Sequence, residues 1–355
     1  MNAERKNSID IARGIAIFFL VSMHVRYWMV TKVYAAFDMA LFFFISGYLI
    51  KDNQDVLRFF IGKVKRLYLP FVIVSTIFLL FHNVFESIGI TMNRYDWTSG
   101  PNTFVHILLF DNVEILLIQI WFLPTLFLTL CLVYFSTKLI NCIFDEQQAL
   151  KVLLLESVAF YGINAIWGDR FVKWYCYCRL LNCISSAMIF IVVGYIISKK
   201  DIDIKLNLKS TIWFAICVCM VVIIIRYTNF GIDVRQNICS NWVIYLPITF
   251  MGIYITFYFA KVLDKYTKIV RNVLSYLGEN TLIILFLHPL IFKLIGLFQI
   301  HVLKMEYAGN LKDWGNVDTT GIWAYIYCAL GIVIPILLKI LYDKLKGTRL
   351  KKMGM

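Results

Sequence analysis

Charge is scarce in this chain. Asp, Glu, Lys and Arg make up 16% of its 355 residues, where a soluble domain carries about 25%. That shortage excludes a soluble globular protein of this length. Histidine is scarcer still: there are five, His24, His82, His106, His288 and His301. None of them stands at ligand spacing from a Cys, Asp or Glu, so no metal site is expected. Phosphate-cradling P-loops, Gly-x-Gly-x-x-Gly units, His-Glu-x-x-His zinc sites and Gly-x-Ser-x-Gly elbows are all missing, along with the chemistries they serve. The nine cysteines include no zinc-finger or Cys-x-x-Cys pair. Most lie in apolar stretches, where cysteine behaves as a small hydrophobe. Cys176 and Cys178 share one outer loop and Cys239 lies in another, which leaves a disulfide open. Internal repeats and low-complexity segments are absent as well.

What the chain has in plenty is apolar surface, 60% of its residues, in runs near the length that crosses a bilayer, about 20 residues. Candidate spans are 8–30, 34–50, 67–90, 119–141, 149–167, 180–198, 210–226, 241–263, 275–299 and 322–342. The expected fold is therefore an all-α polytopic membrane bundle of ten helices. It forms a single membrane domain, residues 1–355 with a core at 8–342, and no loop is long enough for a fused soluble domain.

The net charge of +13 would raise nucleic-acid binding in a soluble chain. Here a basic cytoplasmic rim accounts for it. With the N-terminus inside, the alternate segments 1–13, 51–66, 138–151, 199–209, 261–271 and 339–352 hold 24 of the 35 Lys and Arg residues. That asymmetry places both termini in the cytoplasm. The segment 168–179, with Arg170, Lys173 and Arg179, runs against the trend. Arg5 and Lys6 before an apolar run look like a signal peptide. The pair Asp10/Arg13 and the missing small-residue cleavage site favour an uncleaved first span.

That first span carries Asp10, Arg13 and His24. Ionisable groups inside hydrocarbon are costly and mark function by default. Asp10 and Arg13 are helix-surface neighbours. The eleven positions from Arg13 to His24 return to nearly the same face and separate the two by roughly 16 Å along the axis. His24 suits general-base work, or brief carriage of an acyl group; interhelical glue is the plainer alternative. Arg13 needs an anion, either Asp10 or a ligand, and the start of the helix would favour the ligand.

Residues 51–66 read as an amphipathic interfacial helix capped by Asp52 or Asn53. Lys63, Lys65 and Arg66 on it anchor to anionic lipid or hold the phosphates of a cofactor. Residues 104–118, with His106, Asp111 and Glu114, read as a short interfacial or re-entrant segment. Trp121 fits an aromatic belt. His288 beside Pro289 fits a kinked cavity wall, with plain packing as the alternative. The loop 300–321 is expected outside. A transporter or flippase for lipid-linked sugar is the competing class. Paired repeats and matching broken helices would mark it, and neither is found.

These residues carry a resemblance. Asp10-Ile-Ala-Arg13-Gly-Ile-Ala followed by His24 resembles the Arg-x10-His first span of the membrane-bound acyltransferase family 3. Phe43-Phe-Ile-Ser46-Gly47-Tyr-Leu, Lys65-Arg66-Leu-Tyr-Leu-Pro70 and Trp121-Phe-Leu-Pro-Thr-Leu-Phe are similar to its later motifs. So are Phe190-Ile-Val-Val-Gly194-Tyr195 and the stretch from Leu277-Gly278 to Leu287-His288-Pro289. The resemblance implies a multi-pass enzyme of the cell membrane, of the bacterial plasma-membrane type. Such an enzyme moves an acyl group, usually acetyl, from acetyl-CoA to a carbohydrate hydroxyl. It implies His24 as the catalytic residue, with Arg13 and Asp10 beside it. Arg13, Lys63, Lys65 and Arg66 become candidates for the donor, and Trp121, Arg179 and His288 for the acceptor. Lysines stand at 63 and 65 where many relatives carry arginine, and lysine lacks the bidentate fork.

Overall fold

The computed structural model describes residues 3–25, 29–110, 114–172, 176–228, 230–306, 311–312 and 316–352. Its helices, in chain order, are α1 (Ala3–Val25), α2 (Met29–Ala35), α3 (Asp38–Tyr48), α4 (Val56–Lys63), α5 (Leu69–Ser87), α6 (Gly100–Leu108), α7 (Phe122–Asn141), α8 (Glu146–Val172), α9 (Cys176–Lys199), α10 (Leu208–Thr228), α11 (Trp242–Tyr266), α12 (Lys268–Glu279), α13 (Thr281–His301) and α14 (Ile322–Lys352). Strand structure among the described residues is one two-stranded hairpin, Ile232–Asp233 with Ile238–Cys239. Among the described residues nine helices are long and apolar enough to cross a membrane, and Asp38–Tyr48 is a short apolar tenth. An all-α polytopic bundle is thus what the chain forms.

The spans differ in how deeply they sit. In α1 the most apolar window is 78% buried, against 17% in α10 and 22% in α14. Ile11, Ala12, Ala16 and Val21 of α1 are essentially sealed from solvent. The first span is therefore a central post and α10 and α14 are peripheral staves. Lipid, as apolar as leucine, gives helices no hydrophobic reason to associate, so contact must come from close packing. Two crossings achieve it with glycine. On α1 and α12, a Cβ at Gly14 would run into the Leu274 carbonyl, and one at Gly278 into the Asp10 carbonyl. On α3 and α9, a Cβ at Gly47 would strike the carbonyl of Ile191, and one at Gly194 that of Phe44. At both places backbone lies directly on backbone.

Four details differ from the sequence reading. The stretch 34–50 is a broken unit, because Phe37, with φ −147° and ψ 0°, interrupts the helix before Asp38. Residues 275–280 belong to the amphipathic α12 and to a break at Asn280, so the last-but-one span starts at Thr281. Asp55, rather than Asp52 or Asn53, caps α4 by accepting from the backbone of Leu57 and Arg58. Asp52 serves instead as a tie: it pairs with Lys199, and its carbonyl accepts from Lys138 at 2.8 Å. Finally, α4 is not separate from the span that follows it. A π-turn at Val64–Tyr68 joins it to α5, giving one apolar rod over Val56–Ser87. Proline fits at 70 because it falls in the first turn of α5.

The segment 104–118 is indeed short and irregular. It holds the end of α6 and a 3-10 helix, Ile115–Trp121; Asp111 lies outside the described residues. Cys176 and Cys178 have side chains outside them too, while Cys239 is a free thiol.

Candidate active site

Two polar constellations lie on α1, one at each end of the Arg13–His24 interval. At the inner one, the Asp10 carboxylate stands 3.5 Å from Nη1 of Arg13, and Nη2 donates to the Thr281 hydroxyl at 3.3 Å. The break at Asn280 makes the second contact, since it turns the chain so that α13 begins beside α1. Glu279 adds a further negative charge within electrostatic reach. A tight charge-assisted N–H···O bond measures about 2.7–2.9 Å, so both contacts are loose. The guanidinium has five donors and keeps 28% of its side-chain surface open. It can take up an anion without first breaking a short ion pair. One sequence argument falls away. Because α1 begins at Ala3, Arg13 is well past the first turn, where the helix dipole acts. Its pull on an anion is its own charge.

The outer constellation pairs two histidines 264 positions apart. His288 on α13 is fully buried. Its Nδ1 lies 2.9 Å from the Ile284 carbonyl, and its Nε2 lies 3.2 Å from Nδ1 of His24. A carbonyl can only accept, so His288 carries its proton on Nδ1. In the neutral ring Nε2 is then an acceptor, and the facing Nδ1 of His24 must be the donor. By this chain of logic His24 is the Nδ1–H tautomer and its Nε2 bears the lone pair. The Ile284 carbonyl of α13 thus bears on which nitrogen of His24 is basic, and the Leu20 carbonyl of α1 itself also meets the His24 ring. Interhelical hydrogen bonds in membranes average about 0.6 kcal/mol, too little to explain a buried and a half-buried imidazole as glue. Phe292 packs edge-on against His288 with ring centroids 5.6 Å apart. Asn316, from the outer loop, donates to the His24 carbonyl at 2.9 Å.

Next to the pair is a residue that the sequence reading passed over. Gln119, in the 3-10 helix, donates from Nε2 to the carbonyls of Leu116 at 3.2 Å and Leu285 at 3.3 Å. Its Oε1 is buried with no partner among the described residues, an arrangement that costs about 1–3 kcal/mol. The start of that 3-10 helix is capped by Glu114, which stands 2.6 Å from His82 Nδ1. The other nitrogen of His82 faces the Asn93 carbonyl at 2.8 Å. Asp38 is a second omission, a carboxylate only 6% exposed at the start of α3. An acid inside an apolar run was the available signal for it. For Gln119 the signal was Pro289, whose missing N–H leaves a carbonyl in need of a donor.

Of the residues singled out from sequence, the structure joins Arg13 to Asp10 and His24 to His288. Trp121 ends the 3-10 helix that carries Gln119, half-buried, with its carbonyl accepting from Thr125 at 3.1 Å. Lys63 sits over the Phe59 ring at 4.8 Å, and Phe59 stacks flat on Tyr134 of α7 at 3.8 Å. Lys65 and Arg66 are exposed in the π-turn, and Arg179 is exposed near the start of α9. No hydrogen bond of the described residues joins these four to either constellation on α1.

The bundle thus carries on its central helix a loosely held guanidinium and an imidazole hydrogen-bonded to a second one. The family model described as an acyltransferase domain matches residues 6–340, and the chain belongs to that family, acyltransferase family 3. It is a multi-pass membrane acyltransferase. Neither the curated proteins nor the solved structures give a match.

Proposed function

We propose that the protein transfers an acetyl group from acetyl-CoA to a hydroxyl of a carbohydrate, a surface polysaccharide or lipid-linked sugar, in the plasma membrane of a bacterium. The observation that carries this reading is the locked His24, whose Nε2 holds a lone pair inside the bundle on the same helix as Arg13. In the proposed step His24 Nε2 takes the proton of the acceptor hydroxyl while its oxygen attacks the thioester carbonyl. The C–S bond breaks, the new C–O bond remains, and the imidazolium returns its proton to the departing thiolate. His288 steadies the imidazolium by keeping its Nε2 lone pair on the His24 Nδ1–H. Arg13 offers its open donors to an anionic part of the donor. Lys63, Lys65 and Arg66 attract the polyanion to the cytoplasmic rim without gripping it. The Asp10 carboxylate keeps Arg13 extended toward α13.

Radiolabelled acetyl-CoA, added to vesicles that contain the protein and a membrane glycan fraction, tests this. Label is expected in the glycan with the wild-type chain and not with His24→Ala, both inserted to the same extent. Equal label from the two chains would rule out the histidine mechanism, and no label from either would rule out the acetyl-to-glycan reaction.

A further inference from the structure

We infer that Gln119 is a positioning residue for the histidine pair, and that it works by supplying the hydrogen bond which Pro289 removes from α13. The inference rests on the reading of His24 as the base. In an α-helix the carbonyl of residue 285 is met by the N–H of residue 289. Proline has no N–H, and inside a membrane the carbonyl it frees is met by a neighbouring helix, a side chain or an ordered water. The amide nitrogen of Gln119 stands at that carbonyl, 3.3 Å away.

The orientation of the amide is dictated. Leu116 and Leu285 both present carbonyl oxygens to it, so the nitrogen must face them and the oxygen must turn away. That oxygen is left buried and without a partner among the described residues. A leucine would remove that orphan but leave the Leu285 carbonyl without its Gln119 donor, so the exchange is close to even for overall stability. What it secures is local. Leu285 lies one turn before His288, and the adjacent Ile284 carbonyl holds His288 Nδ1. Fixing the Leu285 peptide fixes the neighbour that sets the tautomer of the pair. The support is anchored at its start by the Glu114–His82–Asn93 chain, with a kink at Leu117 before Gln119.

The test uses the full chain in lipid nanodiscs as wild type, Gln119→Leu, Pro289→Ala and the double variant. Diethyl pyrocarbonate labelling, mapped by peptide mass spectrometry, reports the accessibility of each histidine. Thiol release from acetyl-CoA gives kcat and KM. Gln119→Leu should raise labelling of His288 about fivefold, as expected for a locally opened segment. It should lower kcat about tenfold with KM changed by no more than about twofold, the signature of a contact felt in the transition state. The melting temperature should hold. Adding Pro289→Ala gives Leu285 a backbone donor again, so the double variant should recover both the labelling and the kcat of Pro289→Ala alone. Unchanged labelling and kcat in Gln119→Leu would overturn the inference. So would a loss of melting temperature with labelling raised at all five histidines, or defects that the proline change does not relieve. If the wild type releases no thiol, the proposed reaction fails on that ground, and the His288 labelling and its rescue decide the role of Gln119 by themselves.

Discussion

The two ends of the Arg13–His24 interval are built on opposite principles. At the inner end the groups are charged, partly open, and joined by long contacts of 3.5 and 3.3 Å. At the outer end they are imidazoles, His288 fully buried and His24 half-buried, ordered by a backbone carbonyl through two successive bonds. The inner end can exchange one anion for another, because nothing short has to break. The outer end admits one arrangement of protons, because a carbonyl cannot donate. A site that must release its ligand after each turnover gains from the first design, and a site that must present one lone pair gains from the second.

The sharpest way to break this comparison is at the outer end. His24→Ala should lower acetyl transfer by about 10²–10⁴-fold, the usual contribution of a general base, with normal insertion; activity on purified protein measures it. Activity within a few-fold of wild type would strip the outer end of its chemical role. Next in size is a change that disturbs both ends together. Gly278→Val drives a side chain into the Asp10 carbonyl, and overpacking costs about 1–3 kcal/mol, occasionally more. A lower melting temperature and less monodisperse protein are expected. Gly62→Ala, with nothing within 4 Å of the added carbon, is the control. If Gly278→Val were silent, the backbone-on-backbone crossing would not be what holds α1.

Arg13→Lys sharpens the inner end. It keeps the charge and loses the planar fork, so the donor KM should rise about tenfold, ~1.4 kcal/mol, with kcat largely kept. A fall in kcat with KM unchanged would move Arg13 into the chemistry and erase the contrast. The smallest effect is expected from Lys65→Gln with Arg66→Gln. Exposed charges are screened over about 8 Å at physiological salt. The donor KM should therefore shift by about twofold there and by more at low salt, read from a salt titration.

Much of this was legible in the sequence, and the missing part has a common cause. The stripe Asp10/Arg13/His24 follows from helical periodicity alone, since its members share one helix. His288 was visible as an ionisable group beside a proline, but its meeting with His24 depends on how α13 is placed by the Asn280 break and by the α1–α12 crossing. Pro289 signalled a carbonyl in need of a donor, but that Gln119 would meet it was hidden for the same reason, as the two lie on different elements. The helix boundaries that shifted, at Phe37, Asp55 and Asn280, were settled by local backbone angles and caps that hydropathy does not encode. The continuity of α4 with α5 turned on a single π-turn, which lets an amphipathic helix run on into an apolar one.

The glycine crossing at Gly14 and Gly278 has a mechanical meaning. Where two helices touch through side chains, rotamers can yield and the rods can slide. Where they touch through peptide groups, nothing is left to yield. With its inner third seated in this way, α1 acts as a calibrated rod. The rise from Arg13 to His24, roughly 16 Å, becomes a fixed reach, and a donor anchored at one mark must be long enough to present its reactive carbon at the other.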